Sequence, residues 1–214
     1  MGAFSGRCRN GRSLTKRESA FTLAEFLVVA GVLGILLVAA VVGVRSVSRA
    51  TSRNTAVNSM MNAIEGARAL AITKGRPTFL VFADEDAPAD YAFRAYAVFQ
   101  AGEDFGAASI QVTKWQTLPR GVSFRTPGNN PILNAPSATF PMPGQANGTE
   151  CPFIQFDPRG GVESPTDASD LRLVLFEGAV EGSVEIAGGD SVENGNEIRI
   201  ARSTGRANYF GNQP

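Results

Sequence analysis

The stretch MMNAIEGARALAITKGRPTFLVF, residues 60–82, decides the fold because its hydrophobic period changes within it. Up to Thr73, apolar and small residues recur every three or four positions, which is typical of one face of an α-helix. Lys74-Gly75-Arg76-Pro77 is a helix stop signal. From Thr78 the period becomes two, which predicts a β-strand over 78–83.

Toward the N-terminus, the sequence predicts one long helix. No proline occurs between Met1 and Arg76, so we expect a helix from about Leu23 to Thr73. Its second half is amphipathic, as expected for a helix that packs on a sheet. Its first half belongs to the apolar run Phe21–Val44, which is long enough to cross a bilayer core of about 30 Å.

Charge and composition argue against several classes of function. Residues 1–20 form a basic leader that contains one acidic residue, Glu18, and the remaining chain has a net charge of about −4. A chain with this mildly acidic net charge does not attract nucleic acid through its overall charge. The chain has no histidine, which excludes Ser-His-Asp and Cys-His catalysis, and Cys151 has no base beside it to activate a nucleophile. We therefore expect no catalytic residue, no cofactor and no enzyme activity.

Glu25 stands in the apolar run without a positive partner. One interpretation is that its carboxylate merely reaches the lipid headgroups. The other is that the chain is cut just before Phe21, because the new α-amino group, with an ordinary pKa near 8, supplies a cation. That amine could pair with Glu25 of the same chain or of a neighbouring chain.

The residues Ala20-Phe21-Thr22-Leu23-Ala24-Glu25, between a basic leader and an apolar helix, resemble the prepilin cleavage and methylation motif. This motif belongs to type IV pilins and type II secretion pseudopilins. The resemblance implies cleavage between Ala20 and Phe21 by a prepilin peptidase and methylation of the Phe21 amine. It also implies that Glu25 neutralises a neighbour's N-terminal amine during assembly. The family usually has Gly at the position of Ala20.

After Pro77 the chain reads as a series of strands. Residues 127–150 are rich in Pro, Gly and Asn and are predicted to form a long loop or excursion, and residues 193–196 are predicted to form a hairpin turn. One long helix followed by many strands predicts an α+β fold with the helix on antiparallel sheet. The expected strands are 78–83, 91–100, 109–117, 121–125, 153–157, 171–176, 183–187 and 196–201.

The globular part resembles the GspH/FimT group of minor pilins and pseudopilins. The similar segments are MMNAIEGARALAITKGRPTFLVF (60–82), LPRGVSF (118–124), IQFDPRGGV (154–162) and IRIARSTGRANYF (198–210), and their order is the stronger signal. The resemblance implies a pilin-like fold, with two antiparallel sheets on the C-terminal half of the long helix. It further implies a structural part in a fibre tip.

These observations predict three segments: a removed leader (1–20), a membrane and assembly helix (21–53), and an extracytoplasmic domain (54–214) with a helix (54–73) and a sheet region (77–210). We expect a single-pass inner-membrane protein with a cytoplasmic N-terminus, which enters a pilus or pseudopilus. The expected partners are the prepilin peptidase, the inner membrane and other pilins. An uncleaved single-span anchor protein is an alternative.

Two further hypotheses rest on charge clusters. Asp84, Asp86 and Asp90, with Glu85 between them, could hold calcium, although the spacing is not that of an EF-hand and an acidic surface loop explains them as well. The arginines of the C-terminal segment could contact DNA phosphates in a DNA-capturing minor pilin, although a solvated basic turn is the simpler interpretation. These arginines are Arg199, Arg202 and Arg206.

Overall fold

The computed structural model describes residues 22–102, 109–166, 171–182, 184–187 and 195–211, with no side-chain description at 37–50 and 187. The predicted cleavage residues Ala20 and Phe21 and the leader lie outside the described residues. The chain divides into two compact units, Met1–Val44 and Arg45–Pro214. Each unit is described by itself below.

Helix α1 runs from Leu23 to Lys74. It ends because Gly75 adopts a φ of +61°, a left-handed conformation that glycine reaches without steric cost. The N–H of Arg76 then donates to the carbonyl of Ala71 at 3.2 Å, which satisfies one of the last helical carbonyls. The predicted stop signal is confirmed.

Within the described residues, the strands that follow form two antiparallel sheets, which confirms the α+β fold class. The seven-stranded sheet contains β1 (Thr78–Phe82), β2 (Ala95–Gln100), β3 (Ile110–Gln111), β4 (Gln116–Thr117), β6 (Ser137–Met142), β7 (Gln145–Phe156) and β8 (Val162–Ser164). The five-stranded sheet contains β5 (Val122–Phe124), β9 (Arg172–Glu181), β10 (Val184–Ala187), β11 (Gly195–Ile200) and β12 (Ala207–Phe210).

The strand order places the first strand after the helix in the middle of its sheet. The seven-stranded sheet has the order β3-β2-β1-β7-β6, with β4 also paired to β2 and β8 to β7. The five-stranded sheet has the order β10-β9-β11-β12, with β5 also paired to β9. Because β1 lies between β2 and β7, its side chains are mostly buried, as its apolar sequence requires.

The C-terminal half of α1 fills the main core together with both sheets. Its buried residues are Ala56, Val57, Met60, Ile64, Ala67 and Ala71. They share one hydrophobic cluster with inward residues of both sheets, among them Leu80 and Leu173. The rings of Phe82 and Phe124 meet edge to face at 5.5 Å and join the two sheets directly.

A second, aromatic core covers the other face of the seven-stranded sheet. Its rings belong to Phe79, Phe99, Phe140 and Phe153, with Phe99 and Phe140 4.9 Å apart. Trp115 packs on Phe99 and donates its indole N–H to the carbonyl of Pro141 at 2.9 Å. The segment between β3 and β4 is thereby connected to edge strand β6, so the sheet curls.

The prediction of a long loop over residues 127–150 was wrong. The segment forms two short 3-10 helices, Pro127–Asn129 and Pro131–Asn134, and then the hairpin of β6 and β7. Two of its proline and glycine residues occupy positions that a hairpin tolerates: Pro141 lies in an edge strand, and Gly144 takes a φ of +82° at the turn. Phe140 and Met142 alternate with exposed residues and are buried.

The other predicted strands occur near their expected positions, but several of them begin or end at different residues. The strand predicted over 91–100 begins only at Ala95, after a turn in which the buried Phe93 takes a φ of 53°. The strand predicted over 109–117 splits into β3 and β4 because Thr113 Oγ1, rather than a main-chain carbonyl, accepts the N–H of Val98. β7 and β9 are longer than predicted, and β8 was missed. Residues 193 and 194 of the predicted hairpin turn lie outside the described residues.

Two of the sequence segments that resemble the GspH/FimT group, residues 60–82 and 198–210, meet at one junction. Glu65 accepts the main-chain N–H of Ala207 at 3.1 Å and pairs with Arg68 at 3.3 Å. Arg68 Nε in turn donates to the carbonyl of Thr204. We call Glu65, Arg68, Thr204, Gly205 and Ala207 the helix-turn junction; it ties the C-terminal turn to α1.

Gly205 of the helix-turn junction has no room for a side chain. Its φ is +62°, and a Cβ would lie 2.2 Å from the carbonyl oxygen of Gly160. We predict that Gly205→Ala lowers the free energy of unfolding by about 3 kcal/mol or more, because left-handed strain and overpacking add. Urea unfolding of the full-length chain in detergent, followed by tryptophan fluorescence, measures it.

Gly182 is the matched control for this substitution. It has a similar φ of +60°, but a Cβ there would meet nothing within 4 Å. Gly182→Ala should therefore cost only the backbone strain, about 1–2 kcal/mol. Equal losses for the two variants would contradict the close approach of the C-terminal turn to Gly160.

Candidate assembly segment and the predicted sites

The first turn of α1 is closed by a reciprocal set of hydrogen bonds between Thr22 and Glu25. The main-chain N–H and the hydroxyl of Thr22 donate to Glu25 Oε2 at 3.1 and 3.0 Å. The main-chain N–H of Glu25 donates back to Thr22 Oγ1 at 3.3 Å. This is a capping box, which satisfies main-chain N–H groups that a helix start leaves unpaired. We call this pair the Thr22–Glu25 box.

No role of Thr22 was predicted from the sequence. The signal was present in the sequence: a threonine followed three residues later by a glutamate, directly before an apolar run, is typical of a capping box. The interpretation of Glu25 as a carboxylate that only reaches the headgroups overlooked this local partner. Glu25 therefore has a structural role in the free chain, besides any role in assembly.

Between Phe26 and Leu36, the described side chains of α1 present an uncharged apolar surface. Leu23 is 79% exposed and Ile35 is 73% exposed. Contiguous apolar surface of this kind marks a contact with lipid or with another protein. The exposed side chains are Leu23, Phe26, Leu27, Val28, Val29, Val32, Leu33, Ile35 and Leu36.

The predicted membrane span extends past this segment. In the part of the chain that the structure describes, no helix is both long and apolar enough to cross a membrane. The side chains at 37–44, which complete the predicted span, lie outside that part.

The acidic loop after β1 contains the residues of the calcium hypothesis. Asp84 Oδ1 accepts the main-chain N–H of Asp86 at 3.2 Å, so the loop folds on itself through a turn. Asp86 and Asp90 are exposed. Among the residues that the structure describes, no three His, Cys, Asp or Glu side chains come together as metal ligands.

The three C-terminal arginines have different surroundings. Arg199 pairs with Glu197 and lies over the ring of Phe210, with its guanidinium carbon 4.6 Å from the centroid. Arg202 donates to the carbonyl of Pro165 at 2.7 Å, while Arg206 is exposed. Two of the three guanidinium groups therefore have partners within the chain.

Cys151 is buried in the aromatic core, and burial raises the pKa of its thiol to about 12, with a smaller contribution from nearby carboxylates. A thiolate, the reactive form, is therefore strongly disfavoured at neutral pH. The segment after β7 is a turn: Asp157 Oδ1 accepts the N–H groups of Arg159 and Gly161 at 2.8 and 2.9 Å.

A half-open groove of about 410 Å³ lies between α1 and β2. Small residues of the helix, such as Ala63 and Gly66, leave the space, and Val98 and Val112 line the opposite wall. The lining contains hydroxyl and amide groups but no carboxylate, amine, guanidinium or thiol. Such a lining offers no general base and no activated nucleophile.

Comparison with known proteins gives one structural similarity. No family model and no curated protein matches the chain. Among solved structures, the chain is similar to the minor pseudopilin EpsH from the type 2 secretion system of Vibrio cholerae, with 13% sequence identity and a TM-score of 0.41. The similarity covers 73% of this chain and 94% of that chain.

Asp84 gives a testable pH dependence of stability. Burial raises its pKa from 3.8 to about 6, so the folded chain retains a proton that the unfolded chain has lost between those values. The contribution of the Asp84 carboxyl group to the free energy of unfolding therefore falls as the pH rises from about 4 to above 6. We predict that Asp84→Asn raises the melting temperature at pH 8 by about 2–4 °C, after allowance for partial exposure, and gives no such gain at pH 4.

Asp90→Asn is the control, because Asp90 is exposed in the same loop. Its melting temperature should follow that of the wild type at both pH values. Differential scanning calorimetry of full-length chains in one detergent compares the three proteins. A gain for Asp84→Asn that is equal at pH 4 and pH 8 would show that burial of this carboxylate is not its cause.

Proposed function

We propose that the chain is a minor pilin or pseudopilin subunit of the GspH/FimT type. A prepilin peptidase cuts it between Ala20 and Phe21 and methylates the new amine, and the subunit enters a type II secretion pseudopilus or a type IV pilus, or its tip. One observation carries this proposal: an exposed apolar helix begins at the Thr22–Glu25 box, within the cleavage motif and directly after the predicted cleavage site.

The electrostatics of Glu25 favour cleavage before Phe21. A carboxylate at the centre of a membrane helix costs about 2.5–3.5 kcal/mol, and less near the interface. The uncut chain offers it hydrogen bonds from Thr22 but, among the described residues, no cation. A cut before Phe21 creates a cationic amine four residues before Glu25, which offsets the cost of placing the carboxylate among apolar helices.

The surface of the apolar helix is suited to packing against other helices. A Cβ at Gly31 or Gly34 would meet nothing within 4 Å, so both positions leave space on the helix surface. Small residues of this kind let helices approach closely in lipid. In the proposed subunit the helix crosses the inner membrane before assembly, with the leader in the cytoplasm and residues 54–214 outside it. Other pilins then cover the helix in the fibre.

The proposal assigns a structural part to the compact unit Arg45–Pro214. The titratable groups of the described residues are largely engaged in structural contacts, such as Arg53 with Glu177 at 3.3 Å and Arg125 with Glu185 at 3.6 Å. DNA capture is the weaker candidate because Arg199 and Arg202 already contact groups of the chain itself.

The N-terminal processing of the chain and the charge of Glu25 each provide a test of this proposal. We expect mass spectrometry of the membrane-extracted chain to give a mature N-terminus at Phe21 carrying one methyl group. We also expect Glu25→Ala and Glu25→Gln to insert into the membrane normally and to enter filaments at least tenfold less, since neither carries the negative charge that pairs with a cationic amine. Membrane fractionation and immunoblotting of sheared filaments measure the two steps separately.

An N-terminus other than Phe21, or a chain that retains its leader, would refute this function, and a retained leader would favour the uncleaved anchor protein. Normal filament entry by Glu25→Gln would refute the charge pairing alone. Gln keeps the shape of the side chain and an oxygen that can accept hydrogen bonds from Thr22, so it isolates the charge.

A further inference from the structure

Three exposed cationic side chains lie at one end of the compact unit Arg45–Pro214. They belong to the last turn of α1, the turn after β7 and the turn between β11 and β12, and they are Lys74, Arg159 and Arg206. The three segments are in contact, because a Cβ at Gly160 would lie 2.7 Å from Ile72 Cδ1 and a Cβ at Gly205 would lie 2.2 Å from the carbonyl oxygen of Gly160. We call Lys74, Arg159 and Arg206 the basic end.

The register of β7 on β1 separates the basic end from the acidic loop that follows β1. Thr78, at the start of β1, pairs with Phe156, so the turn that contains Arg159 lies beside the start of β1. Val81 pairs with Phe153, so the residues of β7 that precede Phe153 lie beside the acidic loop. The two regions are at least about 13 Å apart, because β1 has five residues and a strand rises about 3.3 Å per residue.

Exposed carboxylates gather at this other end of β1. They lie in the acidic loop and in the neighbouring part of β7, and they are Glu85, Asp86, Asp90 and Glu150. Burial raises the pKa of the Cys151 thiol, and the charges of Asp86 and Glu150 raise it further, which places both carboxylates near the same side chain. We call Glu85, Asp86, Asp90 and Glu150 the acidic end.

The other charged groups of these segments do not cancel the charge of either end. Near the basic end, three further cations are balanced by three carboxylates: Arg68, Arg76 and Arg202 against Glu65, Asp157 and Glu163. In the acidic loop, Asp84 and Arg94 are one carboxylate and one guanidinium. The exposed side chains therefore give the unit one positive and one negative end.

We propose that the basic end of one subunit docks on the acidic end of a second copy of this chain in the assembled fibre. The inference rests on the function proposed above. Charge complementarity carries it, because each end meets exposed charges of opposite sign on an identical subunit, while like ends repel. Since the two ends are different surfaces of one unit, the contact is head to tail and continues along a fibre instead of closing a symmetric dimer.

This contact is weak in isolation, because exposed ion pairs contribute little and are screened by salt. In a fibre, other contacts between subunits raise the effective concentration of the two ends, so a weak pairing is enough to select the neighbour and its orientation. The contact is therefore tested in filaments of the full-length chain and not with isolated subunits.

Zero-length cross-linking of sheared filaments tests the contact directly. A carbodiimide joins a lysine amine to a touching carboxylate, and we expect mass spectrometry to find Lys74 joined to Asp86 or Asp90. The length of β1 rules out this link within one chain. Its yield should fall at least about fivefold between low salt and about 0.5 M salt, since screening weakens exposed pairs. Lys74→Arg, which keeps the charge and removes the amine, should lose the link and enter filaments normally.

Exchange of the charges shows whether copies of the chain are the partners. Lys74→Glu with Arg159→Glu reverses the basic end, and Asp86→Lys with Asp90→Lys reverses the acidic end. Each variant alone should enter filaments at least about fivefold less, because ends of like sign then meet. Expressed together, they should recover to within about twofold of the wild type, since each supplies the end that the other lacks. Lys114→Glu, at an exposed lysine that belongs to neither end, is the matched control and should enter normally.

Mass spectrometry first establishes that each chain begins at Phe21, so a failure of cleavage, which would refute the proposed function, is distinguished from a failure of docking. Calorimetry identifies any variant that does not fold, and for such a variant the wild-type cross-link decides. Processed wild-type filaments without the Lys74 link, or folded reversal variants that do not recover together, would overturn the inference. Salt-sensitive DNA binding that the basic-end variant loses, without the link, would overturn it in favour of DNA as the partner.

Discussion

A carboxylate at the start of an uncharged apolar helix is the constraint on which the proposed function depends. Such a helix must be covered by lipid or by other helices, and a buried carboxylate needs a partner. Thr22 satisfies part of that need within the chain by donating two hydrogen bonds to Glu25. A cation supplied by cleavage before Phe21 would satisfy the rest, so the cleavage motif, the box and the apolar surface have one physical explanation.

The compact unit Arg45–Pro214 depends on a different set of contacts. One face of α1 is buried against both sheets, and the helix-turn junction fixes the C-terminal turn on the same helix through Glu65 and Arg68. Gly160 and Gly205 permit this close approach because they carry no Cβ, for which neither position has space. The aromatic core on the outer face then stabilises the curled seven-stranded sheet independently of the helix.

The sequence predicted what periodicity and local stop signals determine. The end of α1, the position of β1 and the α+β class follow from residues 60–82, where one apolar pattern replaces another. Residues 127–150 were misjudged because proline and glycine were counted as loop formers, whereas Pro127 and Pro131 begin short 3-10 helices and Pro141 lies in the edge strand of the β6–β7 hairpin. The helix-turn junction was not predictable, since Glu65 and Ala207 are far apart in sequence. The Thr22–Glu25 box was predictable and was missed.

The most direct test of the account is the distance between the Phe21 amine nitrogen and the Glu25 side-chain carboxyl carbon in assembled filaments. Solid-state NMR on chains labelled with ¹⁵N at Phe21 and ¹³C at Glu25 measures it, and mixing singly labelled chains distinguishes pairing within a chain from pairing between chains. The account predicts a separation of about 4 Å or less, the contact distance of an ion pair. A separation beyond about 6 Å in both samples would contradict it.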